Sequence, residues 1–160
     1  VFQTAVADTE EAVLKNWEEL KKQEKGKDRE SVLDGIPAYL PALTKAYKLT
    51  SKAGRVGFEW EHVGEVWDKL KEEIEEVIEA IEEKDMTDVE EELGDVLFVL
   101  ANISRYYKVH PEVALARANR KFSSRFQYIE KKLLENNQTP QTVSLQEMDA
   151  YWEEAKKTKL

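Results

Sequence analysis

The sequence predicts an all-α fold. Helix-favouring residues dominate its 160 positions, whereas glycine occurs six times and proline four times. No stretch alternates apolar and polar residues as a half-buried strand does. Apolar residues instead recur three and four positions apart, which is the spacing of amphipathic helices. We therefore expect a helical bundle.

The helix ends are predicted from capping residues, prolines and glycines. A first helix is expected from Thr9, a candidate N-cap, to about Glu24. Pro37 and Pro41 precede a second helix, which Gly54 ends, and GRVGFEWEH then forms a loop. Further helices are expected over about residues 63–83, 87–107, 111–135 and 145–156. This pattern divides the chain into an N-terminal helix and linker, residues 1–36, and a main domain, residues 37–160.

Charge and composition disfavour several classes of protein. The 33 acidic residues outnumber the 24 basic ones, and the net charge of −9 is unsuited to binding a nucleic-acid polymer. No apolar run approaches the roughly 20 residues that a membrane span requires, so no membrane contact is expected. Cysteine is absent, which suits a reducing compartment. These features predict a cytoplasmic protein.

Five glutamates occupy the ten residues KEEIEEVIEA, positions 71–80. At about 100° per residue, Glu72 and Glu79 lie opposite the apolar arc of their helix and face solvent. A stripe of four residues runs instead along the boundary of that arc: Lys69, Glu73, Glu76 and Ala80. Glu73 and Glu76 are therefore expected beside the buried side of the helix.

The helix expected at 87–107 is acidic at its start and then apolar nearly all round, in VLFVLANI. Such a helix is expected to be covered on every side. Glu92 and Asp95 lie three positions apart at its acidic end. The short turn EKDMT makes this helix an antiparallel neighbour of the preceding one. Since packed helices lie about 8–10 Å apart, Glu73 and Glu76 should face Glu92 and Asp95.

Four converging carboxylates need a counter-ion, because each ionised pair about 6 Å apart costs about 2.8 kcal/mol at an effective dielectric of about 20. With oxygen ligands alone, Mg²⁺ is the preferred cation and Mn²⁺ the second choice. One alternative is a solvated acidic face, which is common on helices. Another is a ferritin-like di-iron site, which needs Glu-x-x-His on two helices, whereas Glu59 and His62 provide one such spacing.

The segments KEEIEEV and EEELGDVLF resemble the EExxE…ExxD signature of MazG-type nucleoside triphosphate pyrophosphohydrolases. GRVGFEW before them, and NRKFSSRF and YWEEAK after them, resemble the same family in order and approximate spacing, so the resemblance spans residues 31–156. It implies Mg²⁺-dependent hydrolysis of a nucleoside triphosphate to the monophosphate and pyrophosphate by a helical homodimer. It also implies that Glu73, Glu76, Glu92 and Asp95 hold the metal, and that the chain corresponds to the C-terminal catalytic unit of two-domain members.

Three basic residues are candidates to bind the substrate phosphates. Lys69 lies on the same stripe as Glu73. Lys121 and Arg125 are four residues apart and extend from the edge of the packed face of the helix expected at 111–135. The alternative for Lys121 and Arg125 is a surface ion pair, which contributes little to stability.

Four further residues receive expected roles. The resemblance implies that Trp152 stacks on a base or sugar and that Lys156, one turn later, reaches phosphate. A tryptophan at apolar helical spacing also suits core packing, and that alternative stays open. Glu72 or Glu91 is expected to accept a proton from the nucleophilic water or to hold a residue that binds the metal.

Two other functions remain open at this stage. The first is a narrower pyrophosphatase of the same superfamily, acting on dUTP or dCTP. The second is a non-catalytic helical module for oligomerisation or binding, whose acids merely solubilise it. A P-loop enzyme is excluded because no G-x-x-x-x-G-K-[ST] motif occurs.

Overall fold

The computed structural model describes residues 31–158 and contains five helices and no strand within that range. The all-α prediction is therefore confirmed. In chain order the helices are α1 (Ala42–Gly54), α2 (Val63–Glu83), α3 (Met86–Tyr106), α4 (Pro111–Glu135) and α5 (Leu145–Lys157). The helix predicted from Thr9 to Glu24 lies outside the described residues. No helix in residues 31–158 combines the length and apolarity that crossing a membrane requires.

The turn between α2 and α3 consists of Lys84 and Asp85. Lys84 closes α2 in the left-handed conformation, with φ of 61°, and its N–H donates to the carbonyl groups at the end of that helix. The Asp85 carboxylate then accepts from the N–H groups of Thr87, at 3.0 Å, and Asp88, at 3.2 Å. Because Asp85 acts as the N-cap, α3 begins at Met86, one residue earlier than predicted.

The antiparallel pair α2 and α3 forms the core that supports the site. Val66 and Leu70 of α2 are buried together with Val99 and Ile103 of α3. Besides α2, α3 also contacts α1 and α4, which makes it the central helix of the described chain. The predicted antiparallel arrangement of the two acidic helices is thus found in the structure.

One side of this helix pair is uncovered within a single chain, so the coverage of α3 on every side stays a prediction that requires a second chain. On each helix, an apolar stripe lies beside the residues that contact the other helix. Both stripes are displaced from the contact in the same rotational sense, and because the helices are antiparallel they lie on the same side of the pair. All six residues of these stripes are 40–57% exposed. We call them the apolar face: Ile74, Ile78, Ile81, Leu93, Leu97 and Leu100.

Helices α4 and α5 form a second packed pair. A reciprocal capping box starts α5, since the Ser144 hydroxyl accepts from the Glu147 N–H and the Glu147 carboxylate accepts from the Ser144 N–H. Ile129 and Leu133 of α4 and Ala155 of α5 are buried. This pair carries several of the residues predicted to bind substrate.

Candidate functional site

Three carboxylates meet between α2 and α3. Glu73, Glu92 and Asp95 each provide one oxygen atom, and these three atoms lie within 4.8 Å of one another. Glu73 comes from the middle of α2 and is only 5% exposed, whereas Asp95 is open to solvent. A charged side chain is rarely buried without a partner, so Glu73 needs a nearby positive charge.

The fourth predicted metal ligand, Glu76, lies outside this group of three. Its pKa is raised above 4.5 by burial, and also by hydrogen bonding to Glu73 and by the charge of Glu73. The pKa of Glu92 is raised as well, first by burial and then by the negative charges of Asp88 and Asp95. Both shifts mean that neighbouring negative charge opposes the ionisation of Glu76 and Glu92, an effect that a bound cation would relieve.

Lys69 supplies positive charge in the structure. Its Nζ lies 2.7 Å from Glu73 Oε1 and 2.8 Å from Glu72 Oε1. The hydrogen bonds to Glu72 and Glu73 raise the pKa of Lys69, so this side chain stays protonated. The Glu72 side chain is 57% exposed, in agreement with its predicted position facing water, and Glu91 is also exposed.

A cavity of about 670 Å³ opens beside the acidic cluster. Lys69 and Glu73 of α2 and Asp95 of α3 line its charged part. Most of the remaining wall is apolar, with Leu49 of α1, Val66 of α2 and Phe98 of α3 among the lining residues. Pockets of this volume, apolar with a few convergent polar groups, are typical of sites for small molecules and cofactors.

The loop between α1 and α2 closes the cavity with Phe58 and Trp60, and α3 contributes Asn102 and Arg105. A loop was predicted here and part of it resembles the family, but none of these four residues was predicted to have a role in the site. The sequence did contain a signal for a binding role, namely the two large aromatic residues Phe58 and Trp60 in a polar, glycine-containing loop. Exposed aromatic residues often mark binding surfaces.

The structure places the other predicted substrate-binding residues on α4 and α5, and none of these four lines this cavity in the described part of the chain. Trp152 is half-buried, with its ring 5.4 Å from that of Phe122 and 5.4 Å from the Arg125 guanidinium. Lys156 pairs with Glu153. Lys121 is exposed. Within one chain these residues are not brought together with the carboxylates, and their roles stay predictions.

Fold and site together define an all-α domain with a carboxylate cluster that opens into an apolar, aromatic cavity. Residues 64–129 of this chain match the family model of the MazG nucleotide pyrophosphohydrolase domain. That range contains all four carboxylates that were predicted as metal ligands, together with Lys121 and Arg125.

Three relatives extend the match beyond that segment. The Thermotoga maritima nucleoside triphosphate pyrophosphohydrolase/pyrophosphatase MazG is 40% identical over 142 residues, which cover 89% of this chain and 54% of the relative. The Escherichia coli K12 nucleoside triphosphate pyrophosphohydrolase is 36% identical over 163 residues, 100% of this chain and 62% of the relative. The uncharacterized Bacillus subtilis protein YabN is 46% identical over 159 residues, 99% of this chain and 32% of the relative.

The match over residues 64–129 and the identities to these relatives over most of the chain confirm the resemblance to MazG nucleotide pyrophosphohydrolases that the acidic motifs predicted. The chain spans from about a third to about three fifths of the length of these curated relatives.

Proposed function

We propose that this chain hydrolyses nucleoside triphosphates to the nucleoside monophosphate and pyrophosphate. The observation that carries the proposal is the cluster of Glu73, Glu92 and Asp95 beside an apolar cavity with aromatic walls. A nucleoside triphosphate has the complementary halves, a polyanion that binds through cations and a nucleoside whose flat base can stack on aromatic side chains. The description of the matched domain and the names of the two pyrophosphohydrolase relatives support the same reaction.

The donor set suits a hard divalent cation, and we propose Mg²⁺, with Mn²⁺ as a substitute. Three carboxylate oxygens within 4.8 Å can serve one ion, and the cluster contains no histidine or cysteine that would favour a softer metal. Glu76, one turn after Glu73 on α2, is proposed as a further ligand. Bound there, the cation would neutralise phosphate charge and lower the pKa of a bound water.

We assign Lys69 to the substrate phosphates. It lines the cavity and reaches Glu73 at 2.7 Å, so it lies at the junction of the carboxylates and the open space. When a cation takes over the charge of Glu73, the Lys69 ammonium group becomes available to a phosphate oxygen. A point charge on a flexible stem suits such a change of partner.

The proposed reaction adds a water oxygen to the α-phosphorus and breaks the bond from that phosphorus to the oxygen bridging the α- and β-phosphates. The electron pair of that bond leaves with pyrophosphate. The water proton passes to Glu72 or Glu91, both of which are exposed and can return it to solvent. Phosphoryl transfer depends mainly on positioning and charge stabilisation, which these residues supply.

The proposed activity is tested with a panel of ribo- and deoxyribonucleoside triphosphates in Mg²⁺ buffer, with products separated by anion-exchange chromatography. We expect monophosphate and pyrophosphate in equal amounts from several bases, and no product after addition of EDTA. Release of orthophosphate with a nucleoside diphosphate would contradict the proposed bond cleavage. Turnover restricted to dUTP or dCTP would instead identify the narrower enzyme.

Mg²⁺ is expected to stabilise the folded chain in the absence of nucleotide. A ligand at 100 times its Kd stabilises a native state by about 2.7 kcal/mol, which for a chain of this length raises Tm by about 5–10 °C. Differential scanning fluorimetry across a Mg²⁺ titration measures this shift, with Na⁺ at matched ionic strength as control. An unchanged Tm at saturating Mg²⁺ would favour a non-catalytic helical module.

We also propose that the chain is a homodimer and that the apolar face is its interface. The six aliphatic side chains of this face are uncovered, and a contiguous apolar patch of this kind is typical of an interaction surface. A second copy of the same face would cover α3 on its remaining side.

Two further assignments complete the proposal. The pyrophosphohydrolase domain is proposed to extend over residues 37–160, because α1 and the loop after it build one wall of the cavity, and residues 1–36 are proposed to lie outside that domain. A chain without cysteine that acts on nucleoside triphosphates suits the cytoplasm, which we propose as its location.

A further inference from the structure

The loop over residues 55–62, which we call the aromatic loop, presents two large rings to the cavity. Phe58 is 84% exposed and Trp60 is 44% exposed. Gly57, with φ of 93°, lets the chain turn before Phe58. An exposed loop of this kind has little burial of its own to fix it, so a defined position for the two rings requires contacts from neighbouring elements.

Those contacts converge on Glu59, which lies between the two aromatic residues. Arg105 of α3 donates from Nη2 to Glu59 Oε1 at 2.7 Å, and the same nitrogen lies 2.7 Å from Glu59 Oε2. The Tyr106 hydroxyl lies 2.5 Å from Glu59 Oε1 and 3.0 Å from the carbonyl oxygen of Trp60. We call Glu59, Arg105 and Tyr106 the latch, since they join the aromatic loop to the central helix.

The surroundings of the latch hold it in one arrangement. Arg105 also donates to the Asn102 side chain from Nε, at 3.0 Å, and from Nη2, at 2.9 Å, which fixes the guanidinium on α3. A Cβ on Gly54 would lie 2.6 Å from Glu59 Oε2, so the absence of a side chain there leaves room for the carboxylate. The Arg105 side chain is 17% exposed and that of Glu59 is 30% exposed, so water screens this pair less than the outer surface pairs.

Glu59 is ionised in the neutral range. The hydrogen bond from Arg105 holds the pKa of Glu59 below its usual 4.5, against the opposing effect of burial. Hydrogen bonds between charged partners are roughly twice as strong as neutral ones. The charged Glu59 side chain therefore fixes the loop to α3, and the position of Glu59 determines where Phe58 and Trp60 lie.

We propose that Glu59, Arg105 and Tyr106 are positioning residues that hold the aromatic loop as the wall against which the nucleoside of the substrate packs. This inference rests on the proposed function, because it assigns the aromatic side of the cavity to the base and sugar. The ligand class is the nucleoside of a nucleoside triphosphate, whose flat base binds aromatic faces by stacking.

The latch is distinct from the groups that act on phosphate. Its hydrogen bonds run to Asn102, Trp60 and within itself, whereas the carboxylates of Glu73 and Asp95 lie in the charged part of the same cavity. Loss of the latch therefore removes binding that the ground state and the transition state share. Such a loss raises KM and leaves kcat unchanged.

The test uses Glu59→Ala in the full chain, with steady-state kinetics on a nucleoside triphosphate and inorganic triphosphate as a competitive inhibitor. We expect KM for the nucleotide to rise about tenfold, which corresponds to about 1.4 kcal/mol. Both kcat and the Ki of inorganic triphosphate, which has no nucleoside, should stay within about twofold of wild type. Glu59→Gln retains an acceptor for Arg105 and Tyr106 and should restore most of the affinity.

Two comparisons guard the interpretation. Tyr106→Phe removes one hydroxyl and should raise KM by a smaller factor, which keeps the test valid if the alanine variant folds poorly. Asp68→Ala breaks an ion pair with Lys71 on the surface of α2, where both side chains are at least 72% exposed, and should change neither KM nor Ki.

If wild type turns over nucleotide while Glu59→Ala and Tyr106→Phe both keep the wild-type KM, the latch assignment is wrong. It is also wrong if the Ki of inorganic triphosphate rises as much as KM. If wild type shows no turnover, the proposed function itself fails.

Discussion

Replacing Glu73 with glutamine is expected to reduce kcat/KM for nucleoside triphosphates by a factor of about 10² to 10³. Glu73 is the most buried member of the carboxylate cluster, and it is held by Lys69 at 2.7 Å. Glutamine has nearly the same shape as glutamate but lacks the charge that attracts the divalent cation. A divalent cation at such a site contributes several kcal/mol of transition-state stabilisation. Pyrophosphate release measured at saturating Mg²⁺ quantifies the loss.

The matched control is Glu79→Gln, which makes the same chemical change on the exposed side of α2. It should leave turnover and the Mg²⁺-dependent rise in Tm unchanged, whereas Glu73→Gln should lose most of both. Equal effects of the two substitutions would show that general surface charge, and not a defined metal site, governs activity.

The second large effect is expected at the apolar face, where Leu97→Glu should convert a dimer into monomers. In a two-fold interface each substitution appears twice, so two carboxylates would be buried against aliphatic side chains without partners. The mass from light scattering after size-exclusion chromatography should fall by half at micromolar concentration. Unchanged helical circular dichroism would exclude unfolding as the cause.

Leu134→Glu is the control for this experiment. Leu134 lies on α4, outside the apolar face, and is 73% exposed, so a charge there should leave the assembly intact. A dimer that persists in Leu97→Glu but dissociates in Leu134→Glu would move the interface from α2 and α3 to α4.

Periodicity was sufficient for the regular parts of the molecule. The burial of Glu73 and the exposure of Glu72 both follow from about 100° per residue on a straight helix, and the turn between α2 and α3 is too short for any arrangement but an antiparallel pair. Helix limits were predicted to within one residue where proline, glycine or a capping aspartate marks them. These are local properties, which a sequence contains directly.

Distances between elements were less accessible. A helical wheel gives the direction in which Glu76 points but not its distance from α3. It therefore could not show that Glu76 lies outside the group formed by Glu73, Glu92 and Asp95. The contacts of Glu59 with Arg105 and Tyr106 join residues 46 and 47 positions apart, and no local pattern predicts them. The apolar stripe on α3 predicts a covered surface, but apolarity does not reveal which chain covers it.

The two-residue turn at Lys84 and Asp85 fixes how far α3 is shifted along α2. Surface connections usually tolerate inserted residues at small energetic cost. An extra residue within the first turn of α3 would be different, because it would rotate all that follows by about 100° and move it by about 1.5 Å. Glu92 and Asp95 would then point away from Glu73, even if a helical hairpin still formed. An insertion at that position would therefore displace the carboxylates and, by the same rotation, the buried Val99 and Ile103.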